Sequence, residues 1–216
     1  MNPQIALGVC SANVQRSPTY EAVMKYALHE QDSDKIAIES AGINVRNILD
    51  NNVALDTMVN VLEAGLHYGL VRVDKKKEIE ALLGAYHTSS ELSDQDSAKM
   101  GLFYSEVRPI VHGMIAAYRN IALEQAGIPK EYHPGIYTPF EEKPNLGMVL
   151  GMDEKTLGKL KKVLNSTSIP LMTYGQLVGE TDLEDNLKSG LPGAVKQVQY
   201  FMDTRKKAIA EMFKKM

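Results

Sequence analysis

The apolar positions of this chain follow two rhythms. Residues 5–9, Ile5-Ala6-Leu7-Gly8-Val9, form a short uncharged run of the kind found in a strand covered on both faces of a parallel sheet, and it ends on Cys10. After a polar loop, Pro18 falls where the first turn of a helix tolerates proline, and Tyr20, Val23, Met24, Ala27 and Leu28 then recur at helical spacing. Residues 35–42 read as a second strand closing on Gly42, so the first forty-odd residues predict a strand, helix, strand unit. The alternation returns near the C-terminus. There 148–152 is a strand, 153–164 a helix capped by Asp153, and 169–172 another strand. An amphipathic helix runs from about 194 to the end, with Val198, Met202, Ile209 and Phe213 on one face.

Between these two blocks the period is helical. Leu55, Met58, Val59, Leu62 and Leu66 share one face, and 106–126 continues as a helix through Val107, Val111, Met114, Tyr118 and Ile121, with Pro109 near its start. Four prolines make 129–145 an extended, loop-rich stretch. The expectation is an α/β fold, one domain over 1–216, with a helical insertion at about 44–105 after the second strand.

Composition narrows the chemistry. The chain has 216 residues, 24 basic against 27 acidic side chains and a net charge of −3, so it lacks the basic field of a general nucleic-acid binder. Cys10 is the single cysteine. It has no partner for an intramolecular disulfide, supplies no thiolate zinc cage and fits a reducing compartment. No run reaches the ~20 apolar residues of a membrane span, and the N-terminal residues lack the basic start of a secretion signal. A cytoplasmic location without a membrane partner is expected. His67, His87, His112 and His133 show no metal-ligand spacing and read as surface or core residues; neither metal nor cofactor is expected. Lys75-Lys76-Lys77 reads as a solvated run, and Ser89, Ser90, Asp94 and Asp96 as a polar loop with helix-cap residues.

The informative segment is Cys10-Ser11-Ala12-Asn13-Val14-Gln15-Arg16-Ser17-Pro18, which leads from a buried strand into a helix N-terminus. Such a loop turns successive backbone N–H groups toward one tetrahedral oxyanion, and the helix adds its dipole and its unpaired first-turn amides. Arg16 can close the ring with a guanidinium fork. Electropositive surroundings favour thiolate over thiol, and thiolate is the nucleophile. Cys10 is thus placed to attack phosphorus, with Ser11, Ala12, Asn13, Val14, Gln15, Arg16 and Ser17 around a bound phosphate- or sulfate-type anion. Asn13 tolerates the left-handed backbone that a tight loop requires.

With Glu21-Ala22 after this loop, Glu39-Ser40-Ala41-Gly42 ending the second strand and Val149-Leu150-Gly151-Met152-Asp153 at the third, the sequence resembles the low-molecular-weight protein tyrosine phosphatase family over about 1–43 and 106–216. The resemblance implies a three-layer, flavodoxin-like fold with a four-stranded parallel sheet. It also implies Cys10 as nucleophile, Arg16 as phosphate clamp, Ser17 as donor to the thiolate and Asn13 as shaper of the loop. Family members carry a general acid as an Asp-Pro dipeptide after the fourth strand. No Asp-Pro occurs here, and in the corresponding loop 179–187 Asp185 fits best, with Asp182 second. Ala12 stands in place of a usual glycine and Gln15 in place of a frequent second cysteine. Val14 leans toward aryl phosphate rather than phosphoarginine, and Tyr132, Tyr137 and Phe140 are candidates for substrate walls.

The expected activity is hydrolysis of a phosphomonoester, a protein phosphotyrosine or a small aryl phosphate, through phosphocysteine. Two alternatives stay open. One is an oxyanion- or phosphoprotein-binding module that kept the loop and lost the acid; the other is an arsenate reductase recycled by an external thiol. For the insertion, the alternatives are a lid, a substrate-selection cap or a homodimer surface.

Overall fold

The computed structural model describes residues 3–164, 168–183 and 187–216. Four parallel strands, β1 (Gln4–Cys10), β2 (Ile36–Gly42), β3 (Leu146–Gly151) and β4 (Leu171–Thr173), lie in the order β2-β1-β3-β4. β1 is central, so both of its faces are covered. Ile5, Leu7 and Val9 point to one side, where Val149 of β3 and Leu160 of helix α6 (Glu154–Val163) meet them. Ala6 and Cys10 point to the other, beneath α1 (Arg16–His29) and the closing helix α8 (Gly190–Lys215). The all-apolar run read from the sequence is the two-sided burial of this strand. Gly8 belongs to the same face as Ala6, and a Cβ there would lie 2.4 Å from the Tyr20 ring, so glycine lets α1 lie flat on the sheet.

The middle of the chain forms a second core. After a short α2 (Val45–Leu49), helices α3 (Leu55–His67) and α4 (Val73–Ser89) pack against α5 (Asp94–Gln125) around Leu62, Ile79, Met100, Tyr104 and Val111. α5 is 32 residues long and starts well before the expected 106. Ser93 caps it, accepting from the Asp96 amide at 3.1 Å, and buried Tyr104, Val107, Val111 and Ile115 carry the helix through Pro109. The boundary placed at 105 therefore falls inside one continuous helix. The N-terminal half of α5 builds the helical core, while Ala122 and Leu123 near its other end join the core under α1 and α8. A short α7 (Tyr174–Val178) follows β4, and 129–145 is irregular apart from one turn of 3-10 helix. Among the described residues no helix is long and apolar enough to cross a membrane.

Leu62 is fully buried where α3 meets α5. Leu62→Ala is expected to cost about 3 kcal/mol in urea unfolding, the usual penalty for a buried leucine cavity. A loss below about 1 kcal/mol would mean that this helical core is not tightly packed.

Candidate active site

The sulfur of Cys10 lies at the carboxyl end of the central strand, where parallel sheets place their ligand sites, and the residue is 4% exposed. The Asn13 amide donates to Sγ at 3.3 Å and the Ser17 hydroxyl at 3.0 Å. Ser17 Oγ also lies 3.1 Å from the Ala41 carbonyl, and its one proton serves a single acceptor at a time. The loop turns at Asn13, whose φ of +52° is left-handed. Its own side chain holds that turn: Nδ2 donates to Ser40 Oγ at 2.9 Å, and Oδ1 accepts from the Thr138 amide at 2.9 Å. Ser40 in turn donates to Glu21 Oε2 at 2.5 Å. The two residues after β2 run alongside, with the Ile43 and Asn44 amides donating to the carbonyls of Cys10 and Ser11, each at 3.0 Å. A Cβ at Gly42 would lie 2.8 Å from the Asn13 nitrogen, so the loop needs glycine there. Ala12 takes a negative φ and is accommodated.

Two buried arginines flank the loop. Arg16 Nη1 donates to Asp153 Oδ2 at 2.6 Å and, more distantly, to the carbonyls of Leu183 and Met152. The other oxygen of Asp153 caps α6 by accepting from the Thr156 amide at 2.6 Å. Burial alone would raise the Asp153 pKa, but the Arg16 guanidinium and that amide outweigh it and hold the carboxyl below its usual range. An ionised carboxylate so engaged orients Arg16 and does not serve as a proton donor. Arg119, on α5, is 1% exposed and supports the loop from behind. Its Nη1 donates to the Val14 carbonyl at 2.9 Å and its Nη2 to the Pro134 carbonyl at 2.7 Å. Burial lowers its pKa to about 10, opposed by Glu21 and Cys10, so the group stays cationic at neutral pH.

In front of the loop lies a cleft of about 530 Å³. Ser11, Ala12 and Arg16 form part of its wall, α3 contributes Thr57, Asn60 and Val61, and α6 contributes Lys155 and Lys159. The inserted helices thus overhang the loop directly. Among the described residues, no tyrosine or phenylalanine lines the cleft. Tyr132 instead packs on Tyr26 and His29, Phe140 on the core beneath α6, and Tyr137 bonds His112 Nδ1 through its hydroxyl at 2.7 Å. The expected aromatic walls are anchors of 129–145. Val14 points into the helical core, so its side chain does not read what occupies the cleft. Asp182 is committed to the Gly175 amide at 2.9 Å, whereas Asp185 lies outside the described residues.

No family model matches the chain, and no curated protein does. Solved structures do. A low-molecular-weight protein tyrosine phosphatase from T. tengcongensis is 15% identical, with 96% of this chain and 99% of that one covered at a TM-score of 0.56. A protein tyrosine phosphatase from Entamoeba histolytica is 13% identical, covering 98% and 97% at 0.57. The YwlE arginine phosphatase from Geobacillus stearothermophilus is 12% identical, covering 98% and 94% at 0.53. The chain has the low-molecular-weight phosphatase fold.

Within that fold the structure brings Cys10, Asn13 and Ser17 into mutual contact, with Arg16 next to Ser17 in the chain. Three contributors were not read from the sequence. Arg119 follows Val107, Val111 and Ile115 at intervals of four residues, and a charge on that buried stripe was the available signal. Asp153 was read only as a cap. His112 was read only as a surface or core histidine, yet it also lines the cleft.

Burial, with Arg108 nearby, pushes the His112 pKa from 6.5 down to about 4. The unfolded chain therefore takes up this proton first as pH falls, and stability present above about pH 6.5 is lost on the way to pH 4. The expected loss is up to about 3 kcal/mol. His112→Gln should flatten that part of the pH profile in denaturant unfolding, and an unchanged slope would refute the assignment.

Proposed function

We propose that this protein is a cysteine-dependent phosphatase acting on a phosphomonoester by way of phosphocysteine. The observation that carries the reading is the buried Cys10 Sγ, which accepts from the Asn13 amide and the Ser17 hydroxyl inside a loop flanked by two arginines. A thiolate there attacks phosphorus; the sulfur–phosphorus bond forms as the ester oxygen leaves with a proton from a general acid. Water then attacks the phosphocysteine, inorganic phosphate departs and the thiolate is restored. Arg16, oriented by Asp153, gathers the charge on the equatorial oxygens. Ser17 donates to the sulfur at departure. None of these steps calls for a metal or cofactor.

Asp185 is the proposed acid. Support comes from two aspartates among the described residues that do not suit the role, since Asp153 is held ionised against Arg16 and Asp182 is tied to a backbone amide. Among the described residues the cleft lining has no tyrosine or phenylalanine, and α3 overhangs it, which favours a small phosphomonoester over a phosphotyrosine presented on a protein surface.

With p-nitrophenyl phosphate, Cys10→Ser should lower kcat about a thousandfold or more, and a chelator should leave the parent unaffected. Activity that survives the substitution, or that requires added divalent metal, would overturn the mechanism. Asp185→Asn should depress turnover most for esters with poor leaving groups; an equal loss for good and poor ones would remove Asp185 from the role. Vanadate binding without any turnover would point to the oxyanion-binding module.

A further inference from the structure

The cleft holds more positive charge than one phosphoryl group requires. Of the charged residues that line it, Arg16 is paired with Asp153, and Lys188 with Glu63 of α3. Lys155 and Lys159 remain, one turn apart on α6 and both facing the cavity. Neither forms an ion pair among the described residues. Glu154, the acidic residue beside Lys155, turns away and accepts from Gln176 Nε2 at 2.7 Å.

Lys159 is also coupled to the loop. Its Nζ donates to Asn44 Oδ1 at 3.2 Å, and Asn44 Nδ2 donates to Ser11 Oγ at 2.9 Å, so one side chain links this ammonium to the first residue after the nucleophile. Partial burial and the neighbouring Lys155 both lower the Lys159 pKa, with only Asp153 pulling the other way. Two adjacent ammonium groups in a half-enclosed cleft repel each other, and an anion placed between them relieves that repulsion. The wall near them also holds Ile43, Ile48, Thr57 and Asn60, and its one carboxylate among the described residues, Asp153, is engaged by Arg16.

We propose that Lys155 and Lys159 form a second anion subsite, and that the phosphomonoester taken by this cleft is a small molecule carrying a further phosphate or carboxylate group. The inference rests on the phosphatase reading for the first subsite, the loop at Cys10. A volume of about 530 Å³ accommodates a small-molecule ligand. The two lysines give selectivity through charge rather than through a shaped aromatic slot, and that selectivity weakens as salt rises.

The test compares phenyl phosphate, 4-carboxyphenyl phosphate and 1,4-phenylene bisphosphate on the parent and on Lys155→Gln/Lys159→Gln. The double variant should lose about 10-fold more in kcat/KM on each doubly anionic substrate than on phenyl phosphate. A deficit confined to the carboxylate or to the bisphosphate arm identifies which oxyanion the subsite prefers. Equal losses on all three substrates, or a parent without preference for the second anion, would overturn the proposal. Calorimetry on Cys10→Ser separates it from the phosphatase reading. If the parent hydrolyses none of the three, that reading fails, yet 1,4-phenylene bisphosphate should still bind Cys10→Ser more tightly than phenyl phosphate, and the lysine substitutions should erase the difference. Equal binding of the two would refute the subsite itself.

Discussion

Everything in the site depends on the left-handed turn at Asn13. A φ of +52° on a residue with a side chain is unfavourable, and the fold offsets it by using that side chain at both ends of its amide. One end reaches Ser40 on β2 and the other the backbone of 129–145, so the turn is fastened to two segments distant in sequence. The same turn brings the Asn13 amide to Cys10 Sγ. Gly42 is required because the loop passes too close for a Cβ. The loop is therefore prepared before any ligand arrives, which is what electrostatic stabilisation of a transferring phosphoryl group requires.

A second constraint is the buried charge of Arg119. A guanidinium removed from water is costly unless its donors are satisfied, and here they are directed to backbone carbonyls and Asn120 rather than to a carboxylate. The cation thus fixes the back of the loop and of 134–135 while its charge is left facing Glu21 and Cys10. It stands on α5, the helix that also supports α3 over the cleft. One long helix therefore positions both the rear of the phosphate loop and the wall opposite it, and the insertion belongs to the architecture of the site.

The strand, loop and helix around Cys10 were legible in the sequence because short-range rules govern them: an apolar run, a spacing of residues and a residue type that tolerates positive φ. The four parallel strands were legible for the same reason. The start of α5 was not, since Pro109 suits a position near a helix start, whereas buried Met100, Phe103 and Tyr104 carry the helix on its N-terminal side. Nor were the cleft walls, because whether Tyr137 meets a substrate or His112 depends on tertiary placement. Lys155 and Lys159 look like ordinary helix surface until the fold turns that face toward the loop.

The mechanism shows most directly in where phosphate goes. Rapid mixing of the protein with p-nitrophenyl phosphate, acid quenching and mass spectrometry of the peptide containing Cys10 should show phosphate bound to that sulfur during turnover, and none in Cys10→Ser. Turnover without phosphocysteine, or phosphate carried on another residue, would contradict it.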